Sequence, residues 1–174
     1  MITIGCDFNS GLDNQSLHIH DAYFNGSVDF QSLKSTTGFK FILRDSAGNK
    51  LDQIVFKYIP YQLDTGDINH DGKTDILVGL TKTTHFDPVE RKRLFIIRID
   101  SGQLRPLWLG TRVCQELVAF KTIEEGEVKT IEHEKNGQYA IGTYAWQGFG
   151  LALIKYTHHE LSLSEAQKIF ENKI

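Results

Sequence analysis

Four oxygen-bearing side chains are closely spaced near the middle of the chain. Residues 67–75 carry them at positions 1, 3, 5 and 9, as Asp67, Asn69, Asp71 and Asp75. A hard divalent cation such as Ca²⁺ takes about six to eight oxygen ligands from carboxylates, amides, backbone carbonyls and water. The spacing therefore predicts a calcium-binding loop, to which Lys73 at position 7 contributes its backbone carbonyl.

The loop also contains the residue that its turn requires. Gly72 at position 6 has no Cβ, so the chain can turn sharply there. Three carboxylates held together without a cation repel one another, and we expect the metal-free loop to be strained or open. A plain turn without metal is the alternative, since Asp, Asn and Gly favour turns in any case.

The sequence that follows distinguishes this loop from an EF-hand. An EF-hand carries a bidentate Glu at position 12, between two helices. Position 12 here is Val78, within an apolar run over residues 76–80 that is typical of a strand. Residues 66–79 instead resemble the FG-GAP/VCBS repeat, whose loop joins two strands of a blade in integrin-type β-propellers and binds calcium.

The resemblance implies an antiparallel, propeller-like β fold in which calcium holds the scaffold rigid. It also implies an extracytoplasmic location, in the periplasm, at the cell surface or secreted, where abundant calcium makes a weak site useful. Calcium-bearing propellers occur in binding proteins and in enzymes that act on polysaccharides. The resemblance therefore leaves both functions open.

Two fainter copies of the loop predict a repeated architecture. Residues 21–29 and 132–140 echo the pattern, but Tyr23 replaces the position-3 donor and Ala140 replaces position 9. We therefore expect calcium at neither copy. The chain is interpreted as one domain, residues 1–174, with units at about 15–62, 63–113 and 114–161, although hairpin-rich segments can also resemble one another by chance. A charged loop at residues 82–92 is interpreted as an insertion in the second unit.

The rest of the chain predicts strands and a short C-terminal helix. Alternating apolar and β-branched residues predict strands at 39–44, 53–58, 75–80, 94–99, 104–109, 117–122, 128–133, 139–144 and 150–156. A capping-box sequence at residues 162–165 predicts a helix over about 163–173, with Ala166, Ile169 and Phe170 on one face. The fold class is all-β, with about three degenerate blades. Propellers have about four to eight blades, so a β-sandwich is the alternative.

Composition narrows the class of protein further. The chain has 174 residues and a net charge of -3, which describes one soluble domain and argues against a nucleic-acid partner. No stretch reaches the roughly 18 apolar residues of a membrane span, so no transmembrane segment is predicted.

The two cysteines, Cys6 and Cys114, belong to no CxxC pair, and the sequence leaves their redox state open. Residues 2–6 resemble the end of a bacterial lipoprotein signal, so a lipid anchor at Cys6 is one hypothesis. Five residues cannot supply the charged and apolar regions of such a signal. The alternatives are therefore a gene start further upstream or a plain N-terminal strand.

Aromatic residues near a glycine-flanked turn are the candidate ligand-binding residues. Tyr144, Trp146 and Phe149 could stack on a sugar or on a protein surface if their rings are exposed. The alternative is that they fill the core between sheets. No nucleophile elbow, P-loop or dinucleotide fingerprint is present, so we predict no catalytic residue. The leading hypothesis is a calcium-stabilised, non-enzymatic module that binds carbohydrate or protein, and the alternative is a polysaccharide hydrolase or lyase with a structural calcium site.

Overall fold

The computed structural model describes residues 15–33, 38–85, 87–110 and 113–172. In these ranges nearly all regular structure is β. The strands are β1 (Ser16–His20), β2 (Asn25–Ser32), β3 (Phe39–Asp45), β4 (Lys50–Phe56), β5 (Gln62–Gly66), β6 (Asp75–Thr84), β7 (Asp87–Asp100), β8 (Gln103–Trp108), β9 (Glu116–Thr122), β10 (Val128–His133), β11 (Tyr139–Trp146) and β12 (Leu151–Leu161). The helix α1 spans Leu163–Glu171, and a single 3-10 turn spans Glu124–Gly126.

The described strands form three antiparallel four-stranded sheets. Sheet 1 contains β1–β4, sheet 2 contains β5–β8 and sheet 3 contains β9–β12. Within each sheet every strand pairs with its neighbour in sequence, so each sheet is a meander joined by tight connections. The all-β prediction is confirmed.

Sheet 2 lies between the other two sheets and is apolar on both faces. Its side chains Ile76, Val78 and Leu80 belong to a core shared with sheet 1. Leu77 and Ile96, which point the other way, belong to a core shared with sheet 3. Because successive side chains alternate between faces, a strand that is covered on both sides reads as a continuous apolar run.

Helix α1 covers the outer face of sheet 3. The capping box is present, since the Ser162 hydroxyl accepts from the backbone N–H of Glu165 and the Glu165 carboxylate accepts from the backbone N–H of Ser162. Ala166, Ile169 and Phe170 pack in a small apolar cluster with sheet 3. The buried ammonium of Lys129 donates to the Ile169 carbonyl at 2.7 Å, near the end of the helix where a cation is favourable. None of the described helices is long and apolar enough to cross a membrane.

The predicted strands each overlap an observed one, but β1, β2 and β5 were not expected. β2 and β5 contain Asn, Asp, Gly, Ser or Gln at most positions, and their strand conformation depends on pairing with the apolar strands β3 and β6. Local sequence therefore carries little signal for them.

The prediction of a charged loop at residues 82–92 is wrong. β6 and β7 continue past the core as a paired hairpin, with Thr81 opposite Lys92 and Thr84 opposite Asp87. Arg93 on this hairpin is only 4% exposed. Its guanidinium donates to the Asp87 carboxylate at 2.8 Å and to the Lys82 carbonyl at 2.9 Å. The charges thus organise the hairpin instead of solvating a loop.

The third faint copy of the metal loop does not occupy the predicted position. Residues 21–24 and 67–74 both join the first and second strands of a sheet, as expected. Residues 132–140 instead span the turn between the second and third strands of sheet 3, and the equivalent connection in that sheet is residues 123–127. The Asn-Gly pair at Asn136 reflects the chemistry of a tight turn, which is required at either end of a sheet.

Candidate metal-binding loop

The predicted metal loop, residues 67–74, connects β5 to β6, and Asp75 is the first residue of β6. His70 and Gly72 have positive φ angles of 59° and 79°. Glycine adopts that conformation without strain, so Gly72 serves the sharp turn that was expected there. The loop therefore brings all the predicted side chains to one end of sheet 2, where β5 ends and β6 begins.

The loop folds around its own carboxylates. Asp67 accepts from the backbone N–H groups of Asp71 and Gly72 at 3.0 Å and 2.9 Å. Asp71 accepts from the backbone N–H of Lys73 at 3.0 Å and from the amide of Asn69 at 3.1 Å. The backbone positions that a metal loop requires are thus already held by these bonds.

Two oxygens in the loop are buried without a hydrogen-bond partner: Oδ1 of Asn69 and Oδ1 of Asp75. The other oxygen of Asp75 accepts from the backbone N–H of Ile68 at 3.1 Å. Burial, together with the negative charges of Asp71 and Asp67, raises the pKa of Asp75 from 3.8 to about 7. An unpartnered buried acceptor is costly, and a cation would supply the missing partner.

The donor set fits calcium in kind. Three carboxylates and one amide oxygen are hard oxygen ligands, and every Asp67 oxygen keeps a lone pair after accepting its N–H group. Across the described ranges, however, no three His, Cys, Asp or Glu side chains are gathered closely enough to hold a metal ion. The loop thus has the ligands, whereas its carboxylates are not drawn into a closed coordination shell.

Both neighbouring sheets contact the loop. Asp21, from the equivalent turn of sheet 1, accepts from the Thr74 backbone N–H at 2.9 Å and from the N–H groups of Tyr23 and Phe24. Burial opposes ionisation of Asp21, but the hydrogen bonds from Thr74, Tyr23 and Phe24 outweigh it and lower the pKa. On the other side, Gly126 of sheet 3 lies so close that a Cβ would be 2.1 Å from the Asp67 carbonyl oxygen.

The three aromatic candidates occupy different environments. Tyr144 is buried, and its hydroxyl accepts from the Cys114 backbone N–H at 3.0 Å. Burial raises its pKa, and the charge of Glu132 adds to that effect. Of the two environments that the sequence left open for Tyr144, the structure therefore shows the core between sheets 2 and 3. Trp146 is half-buried against the same core, whereas Phe149 is 91% exposed on the turn between β11 and β12.

Sequence reasoning missed two features of the structure. One is Glu132, a fully buried carboxylate that accepts from Gln115 N, Thr130 Oγ1 and Tyr156 Oη. The other is an open cleft beside Tyr23, of about 230 Å³. The only sequence signal for the cleft is an aromatic residue at the position where the repeat would carry a metal donor.

Comparison with known proteins places one segment. No curated protein matches the chain. One segment of the chain, residues 60–79, does match a family model. It comprises β5, the loop and the first half of β6, so it includes all five predicted metal-binding residues. The resemblance inferred from residues 66–79 is confirmed for this part of the chain, because residues 60–79 match the family model of the FG-GAP repeat.

Proposed function

We propose that this protein is a calcium-stabilised, non-enzymatic binding module with propeller-like blades, which binds carbohydrate or protein outside the cytoplasm. The observation that carries the proposal is the pair of buried, unpartnered oxygens of Asn69 and Asp75. They belong to a loop whose backbone is already turned for a cation, within a segment that matches the FG-GAP repeat. Calcium would bring the carboxylates of Asp67, Asp71 and Asp75 together and neutralise their repulsion.

The contacts between sheets support the propeller-like arrangement. The Leu104 N–H of sheet 2 donates to Asp52 of sheet 1 at 2.8 Å, and the Thr122 N–H of sheet 3 donates to Asp64 of sheet 2 at 2.6 Å. The first contact joins the fourth strands of its two sheets and the second joins the first strands, so each sheet contacts the next along the chain. A β-sandwich needs two sheets around one core, whereas three successive sheets around two cores are expected of blades.

Two carboxylates outside the predicted metal ligands support binding over catalysis. All the oxygens of Asp21 and Glu132 accept hydrogen bonds from neighbouring groups. A general acid or base must be free to exchange a proton with a substrate. Calcium also lowers the pKa of bound water much less than zinc does, so the metal loop itself is a poor hydrolytic centre.

Thermal unfolding with calcium and with a chelator tests the proposal. A ligand that binds only the native state adds about 2.7 kcal/mol at a hundredfold excess over Kd. We therefore expect calcium to raise the melting temperature of the wild type by several degrees, and Asp71→Ala to abolish the shift.

The matched control is Asp45→Ala. Asp45 accepts three hydrogen bonds in the turn between β3 and β4, from Ala47 and Asn49, but lies outside the metal loop. This variant should be less stable than the wild type yet keep the full calcium shift. Identical wild-type melts in calcium and chelator would refute the proposal.

A further inference from the structure

The cleft beside Tyr23 lies between sheets 1 and 2, at the same end as the metal loop. Its wall in sheet 1 is the β1–β2 turn, with Tyr23, and its wall in sheet 2 is the β7–β8 turn, with Asp100. Lys73 of the metal loop also lines it. We call this space the Tyr23 cleft. Its volume of about 230 Å³ is below the roughly 300 Å³ where pockets for drug-sized ligands begin, so it admits one small ring.

The cleft combines an aromatic surface with a hydrogen-bonding pair. Tyr23 is 66% exposed, so part of its ring is accessible to a ligand. The Lys73 ammonium lies 5.4 Å from the centre of the Tyr23 ring and 3.6 Å from the Asp100 carboxylate. Tyr23 thus offers stacking area on the ring face that Lys73 does not cover, with one strong donor and one strong acceptor beside it.

The charges in the cleft are already balanced. Asp100 faces both Lys73 and Arg98, at 3.6 Å and 4.0 Å, and Asp21 accepts three backbone N–H groups. An ionic ligand would have to break one of these pairs. A neutral ligand with several hydroxyl groups can instead accept from the Lys73 ammonium and donate to Asp100 while its ring lies on Tyr23.

We propose that the Tyr23 cleft binds one neutral sugar ring, stacked on Tyr23 and hydrogen-bonded by Lys73 and Asp100. This inference deepens the proposed function, because it makes sugar affinity depend on the metal loop. The Thr74 N–H donates to Asp21, which also holds the turn of Tyr23, and the loop residue Lys73 supplies the ammonium. Calcium that orders the loop therefore orders the cleft.

Saturation-transfer NMR with neutral methyl glycosides of glucose, galactose, mannose and N-acetylglucosamine, in calcium, tests for binding. For the glycoside with the strongest signal, we expect Tyr23→Ala to weaken affinity about tenfold. Tyr23→Phe keeps the ring and should stay within about twofold. Val55→Ala is the control, since Val55 is an exposed apolar side chain on β4 of the same sheet and lies outside the cleft lining, and it should bind as the wild type does.

A second variant separates the cleft from the metal. Lys73→Met keeps the backbone carbonyl but removes the ammonium. It should therefore weaken the affinity for the methyl glycoside and leave the calcium shift in melting temperature unchanged. Chelation of calcium should also weaken the affinity of the wild type for the methyl glycoside.

The outcomes distinguish the two proposals. If no methyl glycoside gives a signal while calcium still stabilises the protein, the cleft proposal is overturned and the calcium module stands. Equal affinity of Tyr23→Ala and wild type, with both folded, also overturns it, as does an equal loss of affinity in Val55→Ala. If calcium does not stabilise the protein but Tyr23→Ala still loses the sugar, the cleft stands and its link to the metal is wrong.

Discussion

At the scale of single residues, Asp75 is a loop carboxylate whose charged form is disfavoured by burial and by the neighbouring carboxylates. It is fully buried, one oxygen has no partner, and burial raises its pKa to about 7. A carboxyl whose pKa is higher in the folded than in the unfolded state contributes stability below its unfolded value of 3.8. That contribution is lost as the pH rises through about 7.

We expect the metal-free wild type to lose stability between about pH 4 and pH 7 for this reason. Asp75→Asn removes the charge and keeps an acceptor for the Ile68 N–H, so its stability should fall less over the same range. In chelator at pH 8 the variant should melt above the wild type, and calcium should no longer shift it. Parallel pH profiles of the two proteins, measured by thermal denaturation in chelator, would contradict this account.

The spacing of residues 67–75 was sufficient to predict the loop, because its side chains act on neighbouring backbone. The position of Tyr144 was not predictable in the same way. Its burial depends on packing between two sheets, and its hydroxyl meets Cys114, which is 30 residues away in sequence. An aromatic residue beside a glycine turn is consistent with an exposed ring and with a ring in the core. Only the position of the opposing sheet distinguishes the two.

At the scale of elements, the hairpin of β6 and β7 contains ion pairs from Arg91 and Arg93 to Asp87. The Arg93 guanidinium is nearly buried and lies 2.8 Å from Asp87. The hydrogen bond from Arg93 lowers the pKa of Asp87, and the Val89 backbone N–H contributes in the same direction. A carboxylate with a lowered pKa stabilises the fold above its usual value and loses that effect as the pH falls.

Asp87→Asn should therefore lower the melting temperature at neutral pH, because it leaves the Arg93 charge without its partner. The difference from the wild type should shrink as the pH falls, because protonation of Asp87 removes the ion pair from the wild type as well. Glu90→Gln, an exposed position on the same strand, is the control and should change little. A deficit that stays constant down to low pH would show that the ion pair is not its cause.

Sequence periodicity identified most strands because each carries enough apolar residues to signal its own buried face. It missed β1, β2 and β5, whose residues are mainly polar and whose strand conformation comes from pairing. It also mistook the hairpin at residues 82–92 for a loop, since charged residues on a two-stranded ribbon resemble a solvated connection.

At the scale of the whole molecule, close approach between sheets decides where side chains are tolerated. A Cβ on Gly66 of sheet 2 would lie 2.4 Å from Cγ2 of Thr122 in sheet 3. The Thr122 side chain thus fills the space beside Gly66. The glycine at the end of β5 therefore sets the distance between the two sheets.

Gly66→Ala should cost about 1–3 kcal/mol of unfolding free energy through overpacking. Thr122→Ala removes the clashing methyl group, and the cost of Gly66→Ala should be smaller in that background. Urea denaturation of the two single variants and the double variant measures the coupling. Additive losses in the cycle would mean that the sheets do not meet at this point.

The middle sheet has one further consequence, for the behaviour of the unfolded and partly open chain. Residues 76–80 and 94–97 are apolar, β-prone and free of proline, and both lie in the sheet that is covered on two faces. Segments of this kind aggregate when exposed, and flanking charges oppose that. Lys82, Arg91 and Lys92 stand beside these segments on the projecting hairpin. The charges of the hairpin should therefore oppose aggregation of residues 76–80 and 94–97 while the neighbouring sheets do not yet cover them.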